Sequence, residues 1–460
     1  MKTAKLNFAV LLGFVDWAGC DMIGTMRNDI VHPNADKLEY EIRGIVAVAE
    51  KLQNMGVDIT WENIGDPVAK GEKVPEWIKE IVKNAVSDDK SYAYGPTAGL
   101  EEAREYICQY KREHENIHIT PSDVLFFNGL GDAISILYSY LKPGTKVIGP
   151  SPAYPTHSSA DEANSGVPYI TYALDPKNGW QPDLDELERK VRENPAIGGI
   201  LTINPDNPTG FVYSREILEK IVAIAKEYDL FVISDEVYKN LTFKQESFVS
   251  VGRVAEEMGV PAVILRGMSK ETPWPGARCG WAEFINRDTD ESFDKYVTSL
   301  FDAKMLEVCA TTLPQKVMPA IYTDPRFEGE LTKRKEKYSK RADIAFDILK
   351  NVNGIIVPKP CGAFYMSVVF EEGVLNDTQV LSIENDEVRE YIEKITKDME
   401  PSTRFVYYLM GATGICVVPL SGFNSQLHGF RATLLEDDEK KFKRIFNILG
   451  EKIVEYLTSG

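Results

Sequence analysis

A single lysine stands in a stretch of the sequence whose residue types are suited to holding a reactive aldehyde. The stretch covers residues 267–278, follows the apolar run 262–265, and contains Ser269, Lys270 and Arg278. A lysine at the end of a buried strand can be desolvated, which lowers the pKa of its amine and frees it to attack an aldehyde. Ser269 and Arg278 could hold the phosphate of a cofactor that carries the aldehyde. Alone, the stretch is equally consistent with a surface turn that carries two cations.

Polar residues near the ends of other apolar runs complete a candidate site. Tyr154, Asn207, Asp235 and Tyr238 each follow such a run, and Arg431 lies in a late one. Taken singly, Tyr154 fits a loop cap, Asn207 an Asx turn and Asp235 a solvated strand end. Tyr238 fits the core, and Arg431 fits the surface of a strand. Their joint placement after successive strands favours one shared catalytic site.

A glycine-containing turn supplies a candidate anion site. Residues 124–128 predict a strand, Gly129, Leu130 and Gly131 follow, and residues 133–141 predict a helix. In this order the turn directs backbone N–H groups and a helix N-terminus at whatever lies above it. Because glycines also occur in such turns for steric reasons, the turn alone is weak support.

The elements that must position these residues alternate between apolar strands and amphipathic helices. The strands are apolar throughout, which is typical of a sheet covered by helices on both faces. We therefore predict an α/β fold with a mostly parallel sheet, whose functional loops lie at the carboxyl ends of the strands. The predicted strands of this sheet are residues 124–128, 146–149, 199–203, 230–234 and 262–265.

The last third of the chain has a different pattern. Residues 327–350 are rich in Lys, Arg and Glu and predict a long helix, and the strands and helices beyond them predict a smaller α+β unit. The amphipathic pattern at residues 38–56 predicts a helix that joins this unit, while the role of the acidic stretch 371–405 stays open. We predict an N-terminal arm with part of the small domain at residues 1–70, a large domain at 71–323 and a small C-terminal domain at 324–460.

Composition excludes several classes of protein. Of the 460 residues, 43% are hydrophobic and 27% are charged, which is typical of a globular enzyme-sized chain. The formal net charge of −18 argues against binding to nucleic acid or to an anionic membrane surface. No apolar run approaches the roughly 20 residues that span a bilayer.

The cysteines and the N-terminus favour a reducing compartment. Six cysteines are widely spaced, without a CxxC pair or a histidine cluster, which predicts neither a disulfide scaffold nor a metal site. The apolar run at residues 6–15 is short, contains Asn7 and leads into Asp16 without a small-residue cleavage site. We therefore predict a cytoplasmic protein rather than an exported one.

Four motifs, in this order, resemble the signature of the class I and II aminotransferases, the fold-type I enzymes that use pyridoxal 5′-phosphate (PLP). They are NPDNPTG at residues 204–210, SDEVY at 234–238, SK at 269–270 with RCGW at 278–281, and FR at 430–431. The resemblance extends from about residue 40 to the C-terminus. It implies the PLP-dependent transferase fold, with a seven-stranded type of sheet sandwiched by helices. Residues 40–44, 63–67 and 180–184 are most similar to the alanine aminotransferase group.

The resemblance implies a role for each residue around the cofactor. Lys270 would form a Schiff base with PLP and, once released by the substrate, shuttle the proton between the substrate Cα and the cofactor C4′. Asp235 would pair with the pyridinium nitrogen. Tyr238 and Asn207 would hydrogen-bond the phenolic oxygen, and Tyr154 would stack on the ring.

The resemblance also implies the phosphate contacts and a dimer. The backbone of Leu130 and Gly131, the Ser269 hydroxyl and the Arg278 guanidinium would hold the phosphate. The residue that matches Tyr94 reaches the phosphate of the neighbouring subunit in this family, so a homodimer with shared sites is implied. The turn at residues 129–131 lacks the Ser or Thr that often adds a phosphate hydroxyl.

For the substrate, the resemblance implies that Arg431 binds the α-carboxylate in bidentate geometry, which a lysine could not reproduce. Asn207, Gly65 and Tyr40 are the other implied substrate contacts. We predict transfer of the amino group of a small L-amino acid to 2-oxoglutarate, with alanine as the first candidate and aspartate or an aromatic amino acid as the others. Arg43 could neutralise the second carboxylate of glutamate, or it could be a cation on a helix surface.

Three alternatives stay open at this point. A PLP-dependent lyase or decarboxylase of the same fold, of the C–S lyase or aspartate decarboxylase type, would share the cofactor residues, because the motifs specify cofactor binding better than the fate of the carbanion. A non-catalytic regulator would need a DNA-binding module, and the segment before residue 40 is short and not basic. A structural α/β protein would bind no cofactor.

Overall fold

A computed structural model describes residues 41–243 and 248–460, and the side chains of residues 41–43 fall outside the description. The chain begins there with a helix whose apolar face carries the buried Ile45, Ala49 and Leu52. This first helix, residues 41–54, lies within the helix predicted at residues 38–56. The first elements are α1 (Glu41–Asn54), β1 (Thr60–Trp61), α2 (Glu76–Val86) and α3 (Glu101–Tyr110).

An eight-stranded sheet forms the centre of the fold. Counted across the sheet, the second and the eighth strands run antiparallel to their neighbours. All other neighbouring strands are parallel. The predicted mostly parallel α/β sheet is confirmed. It has one strand more than the seven-stranded type, because a strand of two residues is added at one edge. A strand this short cannot be predicted from the sequence pattern. In spatial order the strands are β2 (Val124–Phe127), β9 (Gly280–Ile285), β8 (Ala262–Gly267), β7 (Phe231–Asp235), β6 (Ile197–Ile203), β3 (Lys146–Ser151), β4 (Thr171–Asp175) and β5 (Gln181–Pro182).

Both faces of this sheet are buried, which explains the unbroken apolar runs. Within β8, Val263 and Leu265 pack into one hydrophobic cluster and Ile264 into another, all with no exposed surface. Burying a side chain of this size contributes roughly 1.5–3 kcal/mol. The helices of this part of the chain are α4 (Leu130–Ser139), α5 (Pro155–Ser165), α6 (Leu184–Glu193), α7 (Arg215–Glu227), α8 (Val251–Met258), the single turn α9 (Met268–Glu271), α10 (Glu291–Glu307) and α11 (Thr312–Tyr322).

The C-terminal part builds a second, antiparallel sheet of four strands. Strand β1 pairs in parallel with residues 415–416, which ties the N-terminal segment to this part. The domain boundaries at residues 71 and 324 stay predictions. The elements are α12 (Phe327–Leu349), β10 (Ile355–Ile356), β11 (Tyr365–Phe370), α13 (Asp386–Thr396), α14 (Pro401–Thr413), β12 (Ile415–Cys416), β13 (Val418–Pro419), β14 (Gly429–Thr433) and α15 (Glu439–Leu457), and the spatial order of the sheet is β10-β11-β14-β13.

The acidic stretch 371–405 contains helix α13 and the start of α14. Val388 and Ile392 on α13 are buried, so the stretch packs against the rest of the C-terminal part through one apolar face. Among the helices of residues 41–243 and 248–460, none is long and apolar enough to cross a membrane. The cytoplasmic location stays a prediction.

The register of the parallel strands places their carboxyl ends at one edge. Ile203 on β6 pairs with Asp235 on β7, and Asp235 pairs with Leu265 on β8. The segments that carry Asn207 and Lys270 therefore leave the sheet beside Asp235.

Candidate active site

The predicted residues meet in a cavity of about 400 Å³ at the carboxyl edge of the sheet. A larger cavity of about 700 Å³ lies elsewhere and contains none of the predicted residues. Some of its charged groups are already paired with each other, as Lys239 is with Glu115. The smaller cavity is therefore the candidate site. The predicted residues that line it are Gly65, Leu130, Gly131, Tyr154, Asn207, Asp235, Tyr238, Ser269, Lys270, Arg278 and Arg431.

Lys270 lies in the single helical turn α9, directly after strand β8, rather than in an open loop. Its Nζ atom donates a hydrogen bond to the carbonyl oxygen of Gly65 at 2.7 Å. Burial lowers the pKa of Lys270 to about 8; the Asp66 carboxylate opposes this shift and the Arg431 guanidinium adds to it. A larger fraction of this amine is thus unprotonated near neutral pH than of an ordinary lysine.

Arg278 and the start of α4 form the cationic end of the cavity. Helix α4 begins at Leu130, earlier than the predicted residue 133, so the backbone of Leu130 and Gly131 belongs to its first turn. A Cβ atom on Gly129 would lie 2.4 Å from Nη2 of Arg278, and Gly129 has a φ of +87°. Only glycine fits at this position without displacing the guanidinium. A helix N-terminus beside a guanidinium is suited to a phosphate.

Asp235 ends strand β7 and has a buried histidine behind it. Nε2 of His157 lies 3.5 Å from Oδ2 of Asp235, and Nδ1 of His157 lies 3.3 Å from the Tyr138 hydroxyl. The other oxygen of Asp235 accepts from the backbone N–H of Val237 at 3.1 Å. These contacts fix the orientation of the carboxylate. No motif in the sequence points to His157, whose only signal is its place three residues after Tyr154.

Arg431 is buried in the opposite wall, on strand β14. Its Nη2 donates to the carbonyl oxygen of Asn63 at 2.5 Å, and its Nη1 donates to Oδ1 of Asn207 at 3.3 Å. Nε of Arg431 and Oδ1 of Asn63 are buried and have no hydrogen-bond partner. Buried polar atoms of this kind are normally satisfied in proteins. Both atoms belong to residues that line the cavity.

The structure separates Tyr94 from the cavity of its own chain. The side chain of Tyr94 is 85% exposed and does not line the cavity. Tyr40 and the side chain of Arg43 lie outside the described residues, so their predicted substrate contacts stay predictions.

Two further residues that the sequence analysis missed act on this site. Tyr365, the first residue of strand β11, lines the cavity. Arg334 on α12 is buried and donates to the backbone carbonyl oxygens of Glu271 at 2.6 Å and Lys270 at 2.9 Å. It thereby holds the main chain of the lysine, but nothing in its sequence context separates it from the other cations of that helix.

The comparisons with known proteins agree with this geometry. The profile of the family "Aminotransferase class I and II" matches residues 60–440. The chain belongs to this family. An uncharacterized aminotransferase of Methanocaldococcus jannaschii is 52% identical over 432 residues, which is 94% of this chain and 100% of that protein.

Two other relatives of this aminotransferase have more specific names. The glutamate-pyruvate aminotransferase of Haemophilus influenzae is 30% identical over 340 residues, which is 73% of this chain and 82% of that protein. The structure of an alanine aminotransferase from Pyrococcus furiosus is similar with a TM-score of 0.79 at 27% identity, covering 94% of this chain and 100% of that chain. The predicted family, fold and enzyme class are confirmed, including the relation to alanine aminotransferases.

The residues in the cavity of this aminotransferase fit PLP, the cofactor that its family implies. The Arg278 guanidinium and the start of α4 match a phosphate, and the Asp235 carboxylate matches a protonated ring nitrogen. Arg431 and Asn63, whose Nε and Oδ1 atoms have no hydrogen-bond partner, line the same cavity as Lys270. The phosphate and the ring nitrogen of PLP therefore each have a chemically matched group among the residues of this cavity.

Proposed function

We propose that this aminotransferase transfers the amino group of alanine, or of another small L-amino acid, to 2-oxoglutarate with PLP attached at Lys270. The observation that carries the proposal is the meeting of Lys270, Asp235 and Arg431 in one cavity. The names of the two relatives, a glutamate-pyruvate and an alanine aminotransferase, support the choice of substrates.

Asp235 and Lys270 have different chemical roles beside the cofactor. When bound, PLP supplies an electron sink for the negative charge that develops on the substrate Cα. Asp235, oriented by His157, holds a proton on the ring nitrogen, which keeps that sink effective. The Lys270 amine takes the proton from Cα and returns it at the cofactor's C4′ position, since an amine with a pKa of about 8 can serve as both base and acid near neutral pH.

Arg431 and Asn207 connect the substrate to the cofactor. The paired N–H groups of a guanidinium match a carboxylate, and the unpartnered Nε of Arg431 adds a donor for the substrate α-carboxylate. Because Oδ1 of Asn207 already accepts from Arg431, the amide Nδ2 of Asn207 is left to donate to the phenolic oxygen. Tyr238 is the second donor to that oxygen, and Tyr154 stacks on the ring.

Ser269, Arg278 and the backbone of Leu130 and Gly131 hold the phosphate in this proposal. Tyr94 completes the phosphate contacts of a second copy of the chain. Its 85% exposure and its position outside its own cavity support this homodimer. A cross-linking or sedimentation measurement that finds only monomers would contradict the shared site.

The second carboxylate of glutamate is assigned to Arg43, with Tyr40 and Gly65 beside the substrate. Arg43 stands near the start of α1, one turn before Val46, which lines the cavity. Replacing Arg43 by alanine is expected to reduce turnover of glutamate more than turnover of alanine. Equal losses for both substrates would contradict the assignment.

A panel of amino donors against 2-oxoglutarate and pyruvate tests the proposed reaction. We expect the highest kcat/KM for alanine with 2-oxoglutarate, and formation of pyruvate and glutamate in equal amounts. A parallel assay for ammonia and carbon dioxide separates amino transfer from lyase or decarboxylase chemistry. Release of either product in place of glutamate would overturn the proposal.

A further inference from the structure

Tyr365 is a buried tyrosine that touches three different parts of the candidate site. It begins strand β11 and is 2% exposed. Its hydroxyl lies 3.0 Å from the hydroxyl of Tyr238, and the face of its ring lies 4.5 Å from the Cζ atom of Arg431. Tyr365 therefore contacts both Tyr238, which is assigned to the cofactor's phenolic oxygen, and Arg431, which is assigned to the substrate carboxylate.

Gly65 makes room for the Tyr365 hydroxyl. A Cβ atom on Gly65 would lie 2.2 Å from that oxygen, which is far inside contact distance. The carbonyl oxygen of Gly65 accepts the hydrogen bond from Lys270. The loop whose carbonyl oxygen accepts the Lys270 hydrogen bond therefore also fixes the position of the Tyr365 hydroxyl.

The two hydroxyls hold two protons over the working pH range. Burial raises the pKa of Tyr238 and of Tyr365, so both hydroxyls stay protonated near neutral pH. If Tyr365 donates to the oxygen of Tyr238, the proton of Tyr238 is free for an acceptor in the cavity. A hydroxyl that accepts one hydrogen bond becomes a stronger donor in the next.

Building on the proposed function, we propose that Tyr365 is a positioning residue with two actions. Its hydroxyl donates to Tyr238 and so directs the Tyr238 proton to the phenolic oxygen of the cofactor. Its ring holds the Arg431 guanidinium through a cation–π contact, which keeps the donors of Arg431 turned towards the substrate carboxylate.

The hydroxyl is tested by the variant Tyr365→Phe in the PLP-loaded enzyme. The visible absorbance of the loaded enzyme is titrated with pH, and its midpoint is compared with that of the original enzyme. A weaker Tyr238 donor stabilises negative charge on the phenolic oxygen less, so the chromophore loses its proton at higher pH. We expect the midpoint to rise by about 0.3–1 pH unit, as for the loss of part of one hydrogen bond.

The ring is tested by comparing Tyr365→Phe with Tyr365→Leu. The phenylalanine keeps an aromatic face under Arg431, so KM for the amino donor should change little. The leucine removes that face, and KM should rise by about tenfold, as for the loss of a desolvated cation–π contact. Equal KM values for the two variants would overturn the role assigned to the ring.

Tyr172→Phe is the matched control for the hydroxyl. Tyr172 is also buried, and its hydroxyl lies 3.5 Å from that of Tyr213, but neither residue lines the cavity. Its removal should leave the absorbance midpoint in place. A Tyr365→Phe midpoint no different from that of Tyr172→Phe would overturn the hydroxyl's role while leaving the proposed function standing.

Gly65→Ala is a second route to the same result. Its Cβ displaces the Tyr365 hydroxyl without removing it, and the midpoint should rise in the same direction. If the original protein, incubated with PLP, acquires no visible absorbance, the proposed function fails and the inference fails with it. If that protein shows the absorbance but Tyr365→Phe does not shift its midpoint, only the role of the hydroxyl fails, and a shift in Gly65→Ala alone does not restore it, because Gly65 also contacts Lys270.

Discussion

The Nζ atom of Lys270 lies 2.7 Å from the carbonyl oxygen of Gly65, a residue 205 positions earlier in the chain. The carbonyl satisfies one N–H of the amine without bringing a negative charge to it. A carboxylate at the same distance would favour the ammonium form strongly. With a neutral acceptor, burial dominates, and the pKa of Lys270 falls to about 8.

The first prediction concerns the pH dependence of cofactor uptake. Only the unprotonated amine attacks an aldehyde, so the rate at which PLP-free protein acquires PLP should rise with pH and level off above the pKa of Lys270. We expect a midpoint near pH 8, measured by stopped-flow absorbance. A rate that still increases steeply up to pH 10.5, the ordinary lysine value, would contradict the low pKa.

Two variants control this experiment. Lys270→Arg keeps a cation in the cavity but cannot form the bond, so it should acquire no imine absorbance and no activity. Lys83→Ala removes an exposed lysine from α2 and should reproduce the original rate profile. Reaction at a different lysine would show itself as uptake that persists in Lys270→Arg.

The second prediction concerns the place of the Arg278 guanidinium. In Gly129→Ala the new Cβ would lie 2.4 Å from Nη2, and the alanine would have to adopt a φ of +87°. Displacing one charge-assisted contact should weaken PLP binding by about tenfold to a hundredfold, measured by absorbance titration after dialysis. The melting temperature should fall as well, because L-residues are strained at this φ.

Gly144→Ala is the matched control for backbone strain alone. Gly144 has a φ of +88°, a Cβ on it would meet no atom within 4 Å, and the residue does not line the cavity. This variant should lose stability for the same reason as Gly129→Ala but keep its affinity for PLP. Equal losses of PLP affinity in the two variants would show that the Arg278 contact is not the reason.

The third prediction separates substrate binding from cofactor binding. Arg431→Lys keeps the charge but loses the paired donors that reach Asn63 and Asn207. We expect KM for the amino donor to rise by about tenfold to a hundredfold, as for the loss of one or two hydrogen bonds to a charged group. The affinity for PLP should be unchanged. A loss of PLP affinity with unchanged KM would place Arg431 at the cofactor instead.

Much of the site could be predicted because it depends on the order of elements along the chain. Parallel strands end at one edge, so residues that follow them, such as Asp235 and Lys270, meet there whatever the details of packing. The contacts of Tyr365 with Tyr238 join segments 127 residues apart, and no periodicity reports such a distance. Sequence order could not show this contact, nor the contacts of Arg334 with the turn that carries Lys270, because each joins segments that are far apart in the chain.

Local patterns failed where pairing with a distant segment decides the structure. Residues 57–61 alternate like a strand, but only Thr60 and Trp61 are in β1, because its partner β12 is two residues long. The stretch after β8 is rich in Ser and Pro, a composition that predicts a loop, yet Met268–Glu271 forms a helical turn. The backbone carbonyl oxygens of this turn receive Arg334, which holds it in place.

The last prediction concerns Asp206, in the turn that also carries Asn207. The side chain is fully buried, Oδ2 accepts hydrogen bonds from Thr209, and Oδ1 has no partner. Burial raises the pKa of Asp206 from 3.8 to about 7. Between these two values the unfolded chain releases this proton while the folded chain keeps it, so the residue's contribution to stability falls as pH rises through that window.

Asp206→Asn should remove this pH dependence, because an amide cannot ionise. The difference in melting temperature between the variant and the original protein is measured at several pH values from 5 to 8. We expect the melting temperature of the variant to rise relative to that of the original protein as pH increases. Most of this rise should be complete near pH 7, where Asp206 also ionises in the folded protein. Only the change in this difference is used, because the introduced amide can itself lack a partner and lower the stability equally at all pH values. A difference in melting temperature that is constant across the range would show that the folded protein releases the Asp206 proton as easily as the unfolded chain does.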